Sequence, residues 1–329
     1  MMSKKIYKKF DKPVFVNNRN FQKDAPLTQD LLKLQDQIAS KFPVNKKNLV
    51  NKSSLINKVK CLACNASKSE QLFVKHGFKY VECSNCGHVY VENLLKEDVL
   101  LRYYSESHME ELNNQVQKDK KRSLYWDKLY LKYIDLFNNY LGVRRVLDIG
   151  TGAGNFLKLC KRKKIDDIYG LDFSAKSKED VNKIIPKENY IFRVPIKELP
   201  KLKIKPFDMI TMWGVLEHLS NPLRDFRALN KIIKRKGYCF ALFPNLKSKA
   251  YEMMGVTTPT ISPTEHISFF SMKSLAVLAK KSGFKIEYVF NELPVIDLMY
   301  PHCTYSKEFV DEIIKSKKTY YWACLFRKL

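Results

Sequence analysis

The sequence lacks the hydrophobic segments by which proteins cross membranes or are exported. No apolar run in its 329 residues approaches the ~18–20 residues that a membrane helix needs. The first residues, MMSKKIYKKF, are basic, but no apolar stretch of the kind found in a secretory signal follows them. These absences predict a soluble protein without a membrane span, and a cytoplasmic location follows by default.

The sequence is also poor in acidic residues. It has 34 Asp and Glu against 59 Lys and Arg, a net charge of +25, and residues 1–58 contain no glycine. This excess favours acidic partners such as nucleic acid or nucleotide-linked substrates. The lysines are scattered, however, and no stripe rich in arginine and aromatic residues accompanies them, which favours a solvated surface. We interpret residues 1–58 as a basic N-terminal arm.

Two pairs of cysteines lie between this arm and the rest of the chain. They are Cys61 and Cys64 in CLAC, and Cys83 and Cys86 in CSNC, with eighteen residues between the pairs. Zinc ribbons have such pairs about 15 to 20 residues apart. Gly87 excludes haem attachment, which needs histidine directly after the second cysteine, and a redox dithiol would not explain a second pair. We predict a zinc ribbon at residues 59–92.

This zinc is expected to be structural. Four thiolates form a closed tetrahedral site and leave no position open for water or a substrate. Asn65 and Gly87 follow the two cysteine pairs, and both residue types tolerate the left-handed turn that closes a thiolate knuckle. The ribbon is therefore predicted to contribute architecture rather than chemistry.

From Arg144 onward, strand and helix patterns alternate, after a segment at 93–140 that is typical of a helical connector. The predicted strands are RRVLDIG, DIYGLD, YIFRV, FDMITMW, GYCFALFPN, KIEYVF and YYWACLFRK. This alternation indicates an α/β fold with a Rossmann-like, seven-stranded, doubly wound sheet at 141–329. Ligands of such sheets bind at the carboxyl ends of the strands.

A glycine-rich loop joins the first of these strands to a helix. In VLDIGTGAGNF the glycines are Gly150, Gly152 and Gly154, which allow close approach of the backbone to a ligand. The spacing does not match the G-x-G-x-x-G of dinucleotide-binding proteins. Asp148 suits a cationic ligand, and Asp172, at the end of the next strand, can accept both hydroxyls of a ribose, with Phe173 beside the adenine. This combination predicts S-adenosyl-L-methionine as the cofactor.

The stretches VLDIGTGAGNF, GLDFS, FDMITMWGVLEHLSNP and GYCFALFPN resemble the successive motifs of class I S-adenosylmethionine-dependent methyltransferases. The resemblance covers about residues 144–290 and implies an antiparallel last strand. It implies a cofactor site formed by Asp148, Gly150, Thr151, Gly152 and Gly154 at the methionine end, Asp172 at the ribose, and Trp213 along the cofactor. Many members read adenine with an acidic residue where this chain has Pro195, so backbone groups near Val194 and Ile196 would take that role.

Two histidines are candidate bases for a methyl acceptor. Glu217 and His218 follow the fourth strand in VLEHLSNP, and Glu265 and His266 lie in PTEHISFFS after the fifth. A hydroxyl or carbon acceptor needs a base to take its proton, whereas a neutral amine needs little help. The candidate catalytic residues are His266, His218 and Glu217, although either histidine could instead brace its loop.

A ribbon followed by this domain resembles a group of bacterial zinc-ribbon methyltransferases, many of them tied to deoxysugar or surface-polysaccharide synthesis. The resemblance implies a small-molecule acceptor, a sugar or sugar nucleotide. One alternative is an RNA methyltransferase in which the arm and ribbon grip phosphates. Another is a non-catalytic subunit that binds the cofactor.

Overall fold

The structure is a computed structural model that describes residues 4–14, 26–106, 109–165, 167–293 and 306–329. The chain begins with two helices, α1 (Lys4–Phe10) and α2 (Pro26–Ser40). Helix α1 is not free in solvent, because Tyr7 and Phe10 are buried in the core and the Tyr7 ring lies 5.4 Å from that of Tyr288. The segment predicted as a basic arm is thus packed against the body of the protein at its first helix.

Five short strands follow: β1 (Ile56–Lys58), β2 (Ser69–Lys75), β3 (Phe78–Cys83), β4 (Val89–Val91) and β5 (Asn93–Leu95). Strands β2, β3 and β4 form an antiparallel ladder, and β1 pairs with β5. Both cysteine pairs lie in the turns of this unit, which we call the ribbon.

Helices form most of the predicted connector. They are α3 (Glu97–Glu106), α4 (Met109–Lys118) and α5 (Lys120–Asp135), and α5 continues into a π-helical turn at Leu136–Tyr140. Leu129 and Tyr133, four residues apart on one side of α5, are fully buried. Among the helices of the described residues, none is long and apolar enough to cross a membrane.

The centre of the molecule is a seven-stranded sheet. Its strands are β6 (Arg145–Ile149), β7 (Asp167–Asp172), β8 (Tyr190–Phe192), β9 (Phe207–Trp213), β10 (Ile233–Pro244), β12 (Phe284–Glu292) and β13 (Tyr321–Lys328). Their order is β12-β13-β10-β9-β6-β7-β8. All seven strand segments predicted from the sequence lie in this sheet. Only β13 runs antiparallel to its neighbours β10 and β12, so the predicted antiparallel last strand is confirmed.

Helices cover both faces of the sheet, which is the doubly wound arrangement. They are α6 (Asn155–Arg162), α7 (Ala175–Val181), α8 (Pro222–Ile232), α9 (Lys249–Met254), α10 (Met272–Lys281) and α11 (Lys307–Lys315). Residues of α8, α10 and the ribbon share one hydrophobic core with the sheet, and residues of α1, α5 and α6 share the other. The strand order reverses at β6: the chain continues to β7 and β8 on one side of β6, and then to β9 and β10 on the other. A ligand cleft is expected at that point.

One further strand connects the ribbon to the loop after β10. Strand β11 (Ser268–Phe269) pairs antiparallel with β4, so the ribbon ladder has four strands, of which the last comes from the far end of the sequence. Nothing in the cysteine spacing or the strand pattern indicated this pairing, because β11 is two residues long. The four-part division of the chain made from the sequence stays a prediction.

Candidate active site and metal centre

The glycine loop between β6 and α6 is built for close contact. Gly150, Gly152 and Gly154 have φ values of 74°, 51° and 77°, in the left-handed region that other residues rarely adopt. A Cβ atom at Gly150 would lie 2.6 Å from Val215, and one at Gly152 would lie 2.0 Å from Gln117. The loop can therefore carry no side chain at these positions without displacing its neighbours.

Two carboxylates flank this loop, at the ends of β6 and β7. Asp172 accepts hydrogen bonds from the Gly152 amide at 2.8 Å and the Phe173 amide at 2.7 Å. Asp148 is buried and accepts a hydrogen bond of 2.6 Å from the Thr211 hydroxyl. Burial raises the pKa of Asp148 to about 8, with the Thr211 hydrogen bond opposing the rise. A cationic ligand at the loop would favour the ionised form of Asp148, and the resulting carboxylate would in turn stabilise the bound cation.

Aromatic side chains form the wall of the cleft next to Asp148. Trp213, at the end of β9, packs edge-on against Tyr130 with ring centroids 4.8 Å apart. The Trp213 Nε1 atom is buried and has no hydrogen-bond partner among the residues described. Trp213 therefore lines the cleft, and it also belongs to the core between α5 and the sheet. Phe173, at the opposite end, is 38% exposed, which leaves its ring open to a planar ligand.

Helix α4 closes the cleft with a residue that the sequence did not single out. The Gln117 side-chain oxygen accepts a hydrogen bond of 2.7 Å from the Ala153 amide, and its backbone oxygen accepts one of 3.0 Å from Asn155. The remaining cavity, lined by Gln117, Asp148 and Trp213 among others, has a volume of about 100 Å³. Ligand pockets usually measure about 300–1,000 Å³. The Gln117 side chain thus fills part of the space that a ligand of the loop would occupy, and it binds a backbone amide, that of Ala153, which such a ligand could use. No motif surrounds Gln117 in the sequence.

The two candidate bases lie side by side. The rings of His218 and His266 are 4.9 Å apart, and the His266 Nε2 atom lies 4.0 Å from the Glu217 carboxylate. The loops that carry them are joined by a hydrogen bond of 3.0 Å from the Ile267 amide to the Glu217 carbonyl. The sequence placed these residues in separate loops, and the structure brings them together.

Burial controls the protonation of this cluster. It lowers the pKa of His266 to about 4 and that of His218 to about 3, and it raises the pKa of Glu217 to about 8. Burial thus favours the uncharged form of all three groups. The His266 Nδ1 atom lies 2.8 Å from the Thr260 carbonyl, to which it donates, so its Nε2 atom carries the lone pair. One Glu217 oxygen is buried with no hydrogen-bond partner in the described part of the chain.

The four paired cysteines converge in the ribbon. Their sulfur atoms lie within 4.8 Å of one another and all four residues are buried. Sulfur atoms of Cys61 and Cys86 are 3.6 Å apart, as are those of Cys64 and Cys83. Zn–S bonds of about 2.3 Å in a tetrahedron need sulfur separations of this order. The four-cysteine set therefore fits a zinc ion.

A second group of potential ligand atoms lies in the base cluster. The ligand atoms of Glu217, His218 and His266 also lie within 4.8 Å of one another.

The two cysteine turns have the same backbone geometry. The Asn65 amide donates to the Cys61 carbonyl, and the Gly87 amide donates to the Cys83 carbonyl, each at 2.8 Å. Asn65 and Gly87 both have a φ of 66°, so the predicted left-handed turns are confirmed. Burial raises the pKa of Cys64, but hydrogen bonds from the Ala66 amide and other donors outweigh it and lower that pKa to about 7. Such donors favour the thiolate that a metal needs.

Residues 101–289, more than half of the chain, match the family model described as a methyltransferase domain. The chain belongs to this family. The match begins in α3 and ends in β12, so it includes the glycine loop, Asp148, Asp172 and the His218–His266 cluster. The fold and the motifs are those of class I S-adenosylmethionine-dependent methyltransferase domains.

Curated relatives of this methyltransferase domain are named ubiquinone biosynthesis O-methyltransferases. That of Neisseria meningitidis serogroup A is 28% identical over 145 residues, covering 39% of this chain and 60% of its own length. That of Bordetella avium is 30% identical over 133 residues, covering 39% and 54%. The chain thus spans about 60% or less of the length of these relatives.

Solved structures similar to the chain include a magnesium protoporphyrin IX methyltransferase from Synechocystis PCC 6803 with bound S-adenosylhomocysteine. It has a TM-score of 0.48 and 12% identity, and the alignment covers 71% of this chain and 100% of that one. A possible histamine N-methyltransferase from Thermotoga maritima has a TM-score of 0.47 and 19% identity, with coverage of 67% and 97%.

The ribbon is bound tightly to the methyltransferase domain around the His266 loop. The Ser271 hydroxyl donates to the Cys86 carbonyl at 3.1 Å, and the Lys281 ammonium donates to the Cys64 carbonyl at 2.7 Å. His88, fully buried, lies 3.0 Å from the Ser268 hydroxyl. Each cysteine turn is therefore held by a residue of the β11–α10 region, so the ribbon supports the loop that carries His266.

Gln117→Ala is expected to tighten the binding of S-adenosylhomocysteine by about threefold to tenfold. Binding to the wild-type protein must break the Gln117 hydrogen bond to the Ala153 amide, a neutral interaction of about 0.5–1.5 kcal/mol. Titration calorimetry measures the change. Gln115→Ala is the matched control, since Gln115 lies on the same helix and its side chain bonds to exposed Glu111 instead of to the glycine loop. Weaker binding by Gln117→Ala would show that Gln117 contacts the ligand instead.

Proposed function

We propose that the protein transfers the methyl group of S-adenosylmethionine to a hydroxyl group of a small-molecule acceptor, a sugar or sugar nucleotide. The observation that carries this proposal is the orientation of His266. Its Nδ1 atom donates to the Thr260 carbonyl, so the lone pair of Nε2 faces the side on which Glu217 lies. A neutral imidazole held in this tautomer is suited to take a proton from a hydroxyl group.

The cofactor, when bound, supplies a methyl group on a cationic sulfonium. Asp172 would hold its ribose, Asp148 would favour its positive charge, and Phe173 and Trp213 would flank its two ends. His266 would receive the acceptor proton at Nε2, and Glu217, protonated at neutral pH, would leave the pocket without a competing charge. Alignment of the acceptor with the methyl group supplies much of the rate acceleration in such transfers.

The four-cysteine set is proposed to hold one structural zinc ion. The sulfur atoms use all four tetrahedral positions, so we assign the ion no step in the reaction. The proposal keeps the division into an N-terminal segment (1–58), ribbon (59–92), connector (93–140) and methyltransferase domain (141–329).

A pH profile tests the role of His266. Because burial lowers its pKa to about 4, the base is neutral above that pH, and kcat/KM should fall only as the pH drops towards 4. His266→Gln should lower kcat by roughly 100-fold or more and abolish this acid limb. His218→Gln is the matched comparison from the neighbouring ring. A wild-type rate for His266→Gln, with loss of the acid limb in His218→Gln, would transfer the role to His218.

The acceptor is tested by transfer of a tritiated methyl group to sugar nucleotides, catechols and RNA. Sugar nucleotides are expected to be labelled. A phenolic hydroxyl is the second candidate, favoured by the names of the ubiquinone biosynthesis O-methyltransferases that the chain matches. The RNA alternative has the basic arm and the ribbon grip phosphates, and two residues of this arm, Tyr7 and Phe10, are buried against the body of the protein. Labelling of RNA alone would overturn the proposal, and binding of S-adenosylhomocysteine without labelling of any acceptor would favour a non-catalytic subunit.

A further inference from the structure

A groove lies between the ribbon and helix α8, beside Ser220 and Asn221, which follow His218 in the same loop. Its volume is about 730 Å³, within the usual range of small-molecule sites. The first cysteine turn forms one wall, from Val59 to Asn65, and the opposite wall is formed by α8 and the 3₁₀ segment Ile196–Lys201. We call it the basic groove.

Cations from all three of these elements line the basic groove, and among the described residues that line it none is acidic. They are Lys60, Lys197, Lys201, Arg224, Arg227 and Lys231. The three on α8 follow a spacing of three and four residues, which places them on one side of that helix. The cations are therefore arranged around the cavity by the fold, rather than being dispersed over a surface.

Most of these cations have no carboxylate partner. Arg224 pairs with Asp225, and Lys201 pairs with Glu198. Within the described ranges, the other four (Lys60, Lys197, Arg227 and Lys231) form no ion pair at all. Six cations against the carboxylates of Glu198 and Asp225 leave an excess of positive charge around this concave site, which attracts an anion.

The ends of the groove indicate what kind of anion fits. Ser220 and Asn221 line it, and they follow His218 by only two and three residues. At about 3.5 Å per residue, the chain spans no more than about 10 Å from His218 to Asn221. Asn221 is also the N-cap of α8, so the positive end of that helix dipole lies beside the groove. The groove therefore lies within about 10 Å of His218 along the chain.

The walls favour a small molecule over a nucleic acid strand. The uncharged lining residues include Val59, Leu62, Pro200, Leu223 and Ala228, and no aromatic residue is among the lining residues. Proteins that hold single-stranded nucleic acid stack its bases on aromatic side chains. The basic groove offers charge for phosphate groups and short apolar walls, but no stacking platform.

We propose that the basic groove binds the diphosphate group of a small molecule, and that this molecule is the methyl acceptor; the second part rests on the function proposed above. Four unpaired cations match the charge of a diphosphate better than that of a single phosphate. The ribbon then has a role in acceptor binding through Lys60 and the first cysteine turn, in addition to its support of the His266 loop.

Titration calorimetry with UDP and uridine tests the groove on the full-length, zinc-loaded protein. UDP is expected to bind at least about tenfold more tightly than uridine, because only UDP carries the diphosphate. The triple variant Lys60→Gln, Lys197→Gln, Lys231→Gln should lose this preference and retain wild-type binding of S-adenosylhomocysteine. Salt should weaken UDP binding more than uridine binding.

A second triple variant controls for net charge. Lys273→Gln, Lys280→Gln and Lys315→Gln remove the same charge from exposed positions of α10 and α11 outside the groove. UDP affinity in this control should stay within about twofold of wild type. Equal weakening by both triple variants, or equal affinities for UDP and uridine, would overturn the proposal. So would groove-dependent binding of a single-stranded 20-mer RNA in the absence of UDP binding.

The failure of this proposal can be distinguished from failure of the proposed function. Methyl transfer to a phosphate-free acceptor without UDP binding would refute the groove alone. UDP binding that depends on the groove lysines, without methyl transfer to any sugar or sugar nucleotide, would refute the proposed function and leave the diphosphate site standing.

Discussion

Asp172→Ala is expected to weaken the binding of S-adenosylhomocysteine by about 100-fold. In the proposed complex this carboxylate accepts hydrogen bonds from two ribose hydroxyls, and hydrogen bonds to charged groups contribute about 1.5–3 kcal/mol each. It also orders the loop itself, because it accepts from the amides of Gly152 and Phe173. Both effects act on binding, so the loss should appear directly in the dissociation constant measured by calorimetry.

Asp167→Ala provides the matched control. Asp167 lies at the opposite end of the same strand, β7, where it pairs with Arg145 near the surface. Its removal should change the dissociation constant by less than about threefold, since it is remote from the loop. Asp172→Asn keeps an acceptor oxygen and should fall between wild type and alanine. Wild-type affinity in Asp172→Ala would exclude the proposed ribose site.

Cys83→Ser is expected to have the largest effect on stability. Wild-type protein should contain about one zinc ion per chain and the variant should contain a small fraction of one. Structural zinc in isolated fingers binds with about 10–16 kcal/mol, so the loss of one thiolate ligand should lower Tm by at least about 10 °C. Metal analysis and thermal unfolding measure the two effects.

This variant should also separate cofactor binding from methyl transfer. The ribbon holds the His266 loop through β11, Ser271 and Lys281, whereas the glycine loop and Asp172 lie between the sheet and α4. We therefore expect methyl transfer to be lost while the affinity for S-adenosylhomocysteine stays within about threefold. Cys160→Ala, which removes a buried thiol of α6, is the control and should keep its zinc. A full complement of zinc in Cys83→Ser would contradict the four-thiolate site.

The central sheet could be predicted from the sequence because its signals are local. Each strand is a short apolar run. Each glycine of VLDIGTGAGNF is needed for the backbone conformation of its own loop, so the need can be recognised from that stretch alone. The turns at Asn65 and Gly87 were predicted for the same reason, since the residue that follows a cysteine pair sets the φ of its own backbone. Local sequence determines local conformation well in these elements.

The composition of the candidate active site depends on contacts between residues that are distant in the sequence. The sequence alone did not show these contacts. Gln117 reaches the loop at Ala153 from a helix that carries no motif, 36 residues earlier in the chain. His218 and His266 were proposed as alternatives, yet the fold makes their rings neighbours and brings the Glu217 carboxylate to 4.0 Å from His266. The basic groove could not be predicted from the sequence either, because Lys60 and Lys231 line the same cavity only when the ribbon is packed beside α8.

The pairing of β11 with β4 has a consequence for the synthesis of the protein. Tyr90 pairs with Ser268, so the ribbon ladder lacks its last strand until nearly 180 further residues have left the ribosome. Helix α1 can pack in place only after still more of the chain has been synthesised, because Tyr7 packs against Tyr288. Closing such long loops is slow, and exposed strand edges are prone to aggregation meanwhile. Early capture of zinc by the four cysteines would protect the nascent ribbon during this interval.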